Sequence, residues 1–335
     1  MRNPDKSRYL GFKGASILSL ISALSWLCTP AFSAEQLKLA NTHSLLTSLV
    51  TLASDEHLYD HFGVPLQIDV KESGEAAVNS LLSGEADLAV VAAIPFVKQA
   101  MKHPNLRMIA SVGQSDNQIK IVARKDHHIT RPEDLRGKHI GTQPGIAYSL
   151  FLDGLLEQHG MTRQDITPVF MPAQRLPDAL ANGLIDAMAV QEPYPVATSG
   201  LQQDDLLIIS VPGIYVKSLN LVTTNEFLQS DRANSLIPVL QALYEAERRL
   251  TSQPDKMTEL LSKQFETTPE AVRRQLHEAR LTLSLDSHLL ASLDNVSRWL
   301  TSARGGAEEH SIDFKPYLHT PLLATVKPQG VNLLP

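Results

Sequence analysis

Two stretches of this chain, 99 residues apart, carry the same pattern. VKESGEAAVNSLLSGEADLAVVAAIP overlies VFMPAQRLPDALANGLIDAMAVQEPY, setting Leu81 on Leu180, Gly84 on Gly183, Asp87 on Asp186 and Val91 on Val190. Each copy reads strand, turn, short helix, Gly-x-x-Asp, strand. The glycine falls where a helix needs a left-handed residue to end. The repeat predicts two similar α/β lobes built from equivalent units. Its alternative is a chance match between two βαβ units, which share such patterns generically.

The remainder of the chain fits that plan. From Leu37 onward, short apolar runs alternate with helix-like stretches, the mark of α/β architecture. Strands are expected at 37–40, 66–70, 87–92, 107–111, 119–123, 139–142, 166–170, 186–190, 206–210 and 219–224. Many are uninterrupted apolar runs, as in sheets covered on both faces. Helices are expected at 44–54, 75–83, 95–102, 148–159 and 176–182. After Glu226 the pattern is helical only, with Pro269 as a first-turn proline behind Thr268. Leu289, Leu293, Val296 and Leu300 mark one apolar face. Past Gly305-Gly306, a tail with four prolines reads as an extended strap over a lobe, or as a mobile end.

Composition narrows the function. With 30 basic and 36 acidic residues and no Lys/Arg run, the chain lacks the basic stripe of a nucleic-acid binder. Its single cysteine, Cys28, excludes an internal disulfide framework and thiolate metal clusters. Residues 1–33 read as a secretory signal. Arg2, Lys6, Arg8 and Lys13 precede the apolar stretch ASILSLISALSWLC, then Pro30 and small residues. Fourteen residues are too few to span a bilayer of about 30 Å. Ala31 and Ser33 suit a cut after Ser33. Lipidation on Cys28 is the rival, set back by Leu27 where that processing wants a small residue. The segment holds four basic residues and one acidic, so its removal takes the net charge from −6 to −9.

Enzyme signatures such as G-x-S-x-G, H-E-x-x-H, a Walker loop or G-x-G-x-x-G are missing. His57 and His61 are spaced i, i+4 beside Asp55, Glu56 and Asp60, which would suit zinc on a helix; a solvated helix end is the plainer reading. His127-His128 reads as a surface turn. In open α/β sheets ligands lie beyond the C-terminal ends of strands, against helix N-termini. The loops there are Asn41-Thr42-His43-Ser44, Ser73-Gly74-Glu75, Ala92-Ala93-Ile94-Pro95, Gln143-Pro144-Gly145-Ile146-Ala147-Tyr148 and Gln191-Glu192-Pro193-Tyr194. Ser44 and Ser73 also suit plain N-caps. Glu192, between an apolar strand and a proline, is the sharpest candidate, for a ligand or for a basic residue across a cleft.

Taken in order, SGEAAVNSLLSGEADLAVV, ARKDHHITRPEDLRGKHIGTQPG and DALANGLIDAMAVQEPY resemble the periplasmic substrate-binding proteins of the nitrate/sulfonate/taurine type, the NMT1/THI5-like group. The resemblance covers roughly residues 36–300. It implies a two-lobed, type II-like periplasmic binding protein fold with two hinge crossings, near 114–120 and 215–219, and a Venus-flytrap cleft. The segments are then 1–33 signal, 34–118 first lobe, 119–216 second lobe, 217–304 helical return and 305–335 strap. The ligand positions expected are Asn41, Thr42, His43, Ser73, Gly74, Ala93, Ile94, Gln143, Gly145, Ile146, Tyr148, Gln191 and Glu192. Ala92-Ala93-Ile94-Pro95 and PGIAYS are poorer in hydroxyls than the family's loops, so a more apolar or aromatic solute stands beside a sulfonate. The resemblance implies a periplasmic monomer without cofactor or metal, delivering a small solute to the permease of an ABC importer. An enzyme related to thiamine-pyrimidine synthesis and a ligand-sensing receptor are the alternatives.

Overall fold

A computed structural model describes residues 36–191, 203–302 and 312–333. The expected signal, Cys28 and the Glu192-Pro193-Tyr194 loop lie outside the described residues. In chain order the first sheet and its helices comprise β1 (Leu37–Thr42), α1 (Ser48–Asp55), α2 (Leu58–His61), β2 (Leu66–Lys71), α3 (Gly74–Leu82), β3 (Leu88–Ala92), α4 (Ala93–Ala100) and β4 (Leu106–Ser115). The second comprises β5 (Ile119–Arg124), β6 (His139–Thr142), α5 (Ala147–Gln158), β7 (Thr167–Phe170), α6 (Leu176–Ala181), β8 (Ala187–Gln191) and β9 (Leu206–Ile209). β10 (Lys217–Thr224) returns to the first sheet, followed by α7 (Asn225–Leu228), α8 (Leu236–Ser252), α9 (Pro254–Gln264) and α10 (Pro269–His277). The chain ends with β11 (Leu285–Asp286), α11 (Ser287–Ser302), α12 (Thr320–Val326) and β12 (Val331–Asn332).

The sheets share one plan. The first runs β2-β1-β3-β10-β4 and the second β7-β6-β8-β5-β9. In each, the second strand (β1 or β6) is parallel to both neighbours, and the fourth strand is antiparallel. The chain passes between sheets from Ser115 to Ile119 and returns from Ile209 to Lys217. The fold is therefore two-lobed α/β with two crossings.

The repeat has a physical basis. Gly84 and Gly183 adopt φ of +78° and +69°, the left-handed turn that ends α3 and α6. Three residues on, each aspartate staples two strand starts together. Asp87 accepts the Lys38 N–H at 2.9 Å and Asp186 accepts the His139 N–H at 2.7 Å, while their own N–H groups bond back to the Lys38 and His139 carbonyls. The register follows, with Leu39 opposite Leu88 and Ile140 opposite Ala187.

The C-terminal helices pack on the first lobe, α8 against α1, α2 and α12, and α11 against α4. The tail is not simply extended. Phe314 is fully buried, α12 covers α8, and β12 pairs with β11. Lys327 fastens it from beneath, 2.5 Å from Glu247 and 2.6 Å from the Thr282 hydroxyl.

Candidate functional site

A cleft of about 970 Å³ opens beyond the C-terminal ends of β1, β2 and β3. The first lobe lines it with Thr42, His43, Ser73, Gly74, Ala92 and Leu219. Gln118 comes from one crossing, Lys217 from the other, and Gln191 from the end of β8 in the second lobe. Phe265 and Arg274, from the ends of α9 and α10, form a further wall.

Local chemistry fixes these loops. After β1 the chain turns through a 3-10 helix at Leu45–Thr47, where Ser44 Oγ accepts the Leu46 N–H and Thr47 Oγ1 donates to the Thr42 carbonyl at 3.0 Å. Ser73, extended at φ −153°, caps α3 by accepting the Ala76 N–H at 3.1 Å. Ala92 begins α4 with no side-chain cap, so the first-turn N–H groups of α4 have no side-chain acceptor. Two helix N-termini, each carrying partial positive charge, therefore meet the cleft.

Lys217 adds a full charge. Its Nζ donates to Gln191 Oε1 at 2.8 Å, linking the returning crossing to the second lobe. Burial pushes this ammonium down to about 8, and among the described residues no carboxylate pairs with it. Gln118, only 9% exposed, makes no side-chain hydrogen bond, and its Oε1 is buried without a partner. The same holds for Asn41 Oδ1 and Thr142 Oγ1, at the ends of the equivalent strands β1 and β6. Buried polar atoms rarely go unpaired; of these three, Gln118 is on the cleft lining, and Asn41 directly precedes Thr42, which is.

Contacts between the lobes flank the cleft. Lys98 on α4 donates to the Gly145 carbonyl at 3.2 Å, and the Trp299 indole to Asp153 at 2.9 Å. Lys120 pairs with Glu278 at 3.2 Å.

The expected ligand positions divide by place. Thr42, His43, Ser73, Gly74 and Gln191 line the cleft, and Asn41 lies buried below it. Ala93 and Ile94 do not line it. β3 runs directly into α4, which starts two residues before the expected helix and turns both into the core at 0% and 5% exposure; Ala92 takes their place. Gln143, Gly145, Ile146 and Tyr148 lie on the second lobe and are not on the cleft lining either. Gln143 Oε1 accepts the Ala173 N–H, and Ile146 precedes α5 as its N-cap. Burial raises the Tyr148 phenol, against a hydrogen bond with the Gln191 backbone. Glu192 lies outside the described residues. Sequence reasoning missed Gln118, Lys217, Phe265 and Arg274. Lys217 had a signal, a lone cation opening the apolar run LNLVTT; α9 and α10 offered none, since they reach the cleft only by tertiary packing.

The histidine pairs form no shared ligating face among the described residues. His57 is left-handed at φ +54° and precedes α2, so it shares no helix face with His61. Among the described residues no group of three ligating side chains could hold a metal. His127 is not a free surface turn, since Asp186 holds its ring at 2.6 Å.

Two lobes, paired crossings and a cleft at strand ends define the class of periplasmic-binding-protein folds. Residues 48–257 match the family described as NMT1/THI5 like, and the chain belongs to that family. A candidate binding protein of Brucella abortus (strain 2308) is 21% identical over 267 residues, covering 76% of this chain and 79% of that one. Among solved structures, the periplasmic aliphatic sulphonate binding protein SsuA of Escherichia coli superposes with a TM-score of 0.70 at 18% identity, covering 86% of this chain and 92% of SsuA. The desulfurization enzyme DszB superposes at 0.64 and 15% identity, over 88% and 99% of the two chains. At these identities the likeness is one of fold.

Proposed function

We propose that this protein is an exported solute-binding receptor that captures a small organic solute between its lobes and delivers it to the permease of an ABC importer. The observation that carries this reading is the cleft itself, a space of about 970 Å³ lined from the first lobe, both crossings and the end of β8. That is the size of an organic ligand's site rather than a bare inorganic ion's. A ligand touching both lobes favours the arrangement in which they approach, so binding shifts a conformational population. Such a shift is what a membrane partner reads. Family membership and the binding-protein relatives support the receptor, and the N-terminal signal pattern supports export.

The experiment is thermal unfolding of the purified protein against a panel of sulfonates, nitrate, pyrimidines, flavins and aromatic acids. A solute at a hundredfold excess over its dissociation constant adds about 2.7 kcal/mol, a shift of several degrees. Ala92→Trp, which fills the cleft, should abolish the shift. Turnover of a compound that gives no stabilisation would contradict the receptor and favour an enzyme on this fold.

A further inference from the structure

We propose that Lys217 is the charge-reading residue of the cleft, and that the solute it selects is an organic anion with a flat apolar body. This rests on the solute-binding reading above and names its ligand class. The cleft lining offers donors. Lys217 spends one N–H on Gln191 and keeps two. Gln118 stands nine-tenths buried; its unpartnered buried atom is the acceptor Oε1, and only its Nε2 can donate to an anion. The starts of α3 and α4 supply backbone N–H groups and the positive ends of two helices. A partly buried ammonium with no carboxylate partner among the described residues is costly in the empty protein, and an anionic ligand offsets that cost.

The lining also carries an aromatic pair, on the wall that Phe265 shares with Arg274. The His43 ring lies 4.5 Å from the Phe265 ring, and Leu45 and Leu219 add apolar surface to the lining. Phe265 is set there by the end of α9, where Glu266 takes φ +49° and the Thr267 N–H closes on the Ser262 carbonyl at 2.9 Å. Donors and rings lining one cleft fit a carboxylate or sulfonate carried on an aromatic or similarly flat frame. Lys71 and Glu72 also line the cleft, and Glu72 is exposed, so water screens its charge.

The test is calorimetric titration of the purified protein with benzenesulfonate, benzoate, the neutral benzenesulfonamide, propanesulfonate and inorganic sulfate. At least one aromatic anion should bind tenfold or more tighter than the sulfonamide, propanesulfonate and sulfate. Whether benzoate or benzenesulfonate leads tells which head group the donors fit. Lys217→Met should lose at least tenfold for the anion and leave the sulfonamide unchanged, while Lys217→Arg retains the preference. Phe265→Ala should weaken the aromatic anion and spare propanesulfonate. Equal binding of anion and sulfonamide, or an unchanged affinity in Lys217→Met, would overturn the proposal. A neutral solute that stabilises the protein while the aromatic anions do not would overturn it alone. If no compound of any charge binds, the receptor reading falls with it.

Discussion

The cost of burying the Lys217 ammonium, with no carboxylate partner among the described residues, should be visible in the empty protein. Its pKa is lowered from 10.5 to about 8 by burial. Below about pH 8 both folded and unfolded chains carry the charge, and the folded one bears the desolvation penalty in full. Between about 8 and 10.5 the folded chain binds fewer protons than the unfolded, so stability rises with pH. Over the whole window this is worth ~2 kcal/mol after allowance for solvent at the cleft. Urea midpoints at pH 7.5 and 9.5 should show part of the rise, and Lys217→Met should flatten it. That interval stays below the range where the buried phenols of Tyr59 and Tyr215, both raised by burial, oppose the trend. His43, Lys71, Glu72 and Arg274 also face the cleft, so the variant comparison isolates Lys217. Elsewhere, Glu266→Gly should stabilise by about 0.5–1 kcal/mol, because a side chain at φ +49° is strained where glycine is not. Gly113→Ala should do the reverse, since a Cβ there would meet the Leu46 carbonyl oxygen at 2.1 Å.

The aspartate staples hold each lobe's central strands in register, and they are equivalent in the two lobes. Asp186→Ala leaves the His139 N–H without its acceptor and should cost about 1–3 kcal/mol. Asp87→Ala should cost at least as much, because Asp87 also holds Arg232 through two bonds of 2.8 and 3.0 Å where Asp186 holds the His127 ring through one of 2.6 Å. Denaturant unfolding of the two variants checks this. These elements were legible in the sequence because their causes are local: apolar strand periodicity, a helix-ending glycine and an aspartate at fixed spacing. All ten expected runs form strands, HIGT to the residue. The site was legible only where a loop follows directly from its strand, as at Thr42 and Ser73. Ala93 and Ile94 show the limit. Their place was set by where α4 starts, and Ala92, Ala93 and Ile94 carry no cap or breaker that marks a helix start. Phe265 shows another, because its place depends on α9 docking against the first lobe.

At the scale of the molecule, the cleft works only if both lobes answer to one ligand. Gln191 bonded to Lys217 and Gly145 bonded to Lys98 are the points where a signal at the site crosses between sheets. Trp299, held by Asp153 of the second lobe, reports on the same junction. Its fluorescence should shift when a stabilising solute is added, and Asp153→Ala should remove that response without abolishing binding. The most direct test of the central claim is amide hydrogen exchange with and without such a solute. Protection should rise together at the first turns of α3 and α4, at both crossings and at the end of β8. Protection confined to one lobe, or centred away from this cleft, would contradict the account.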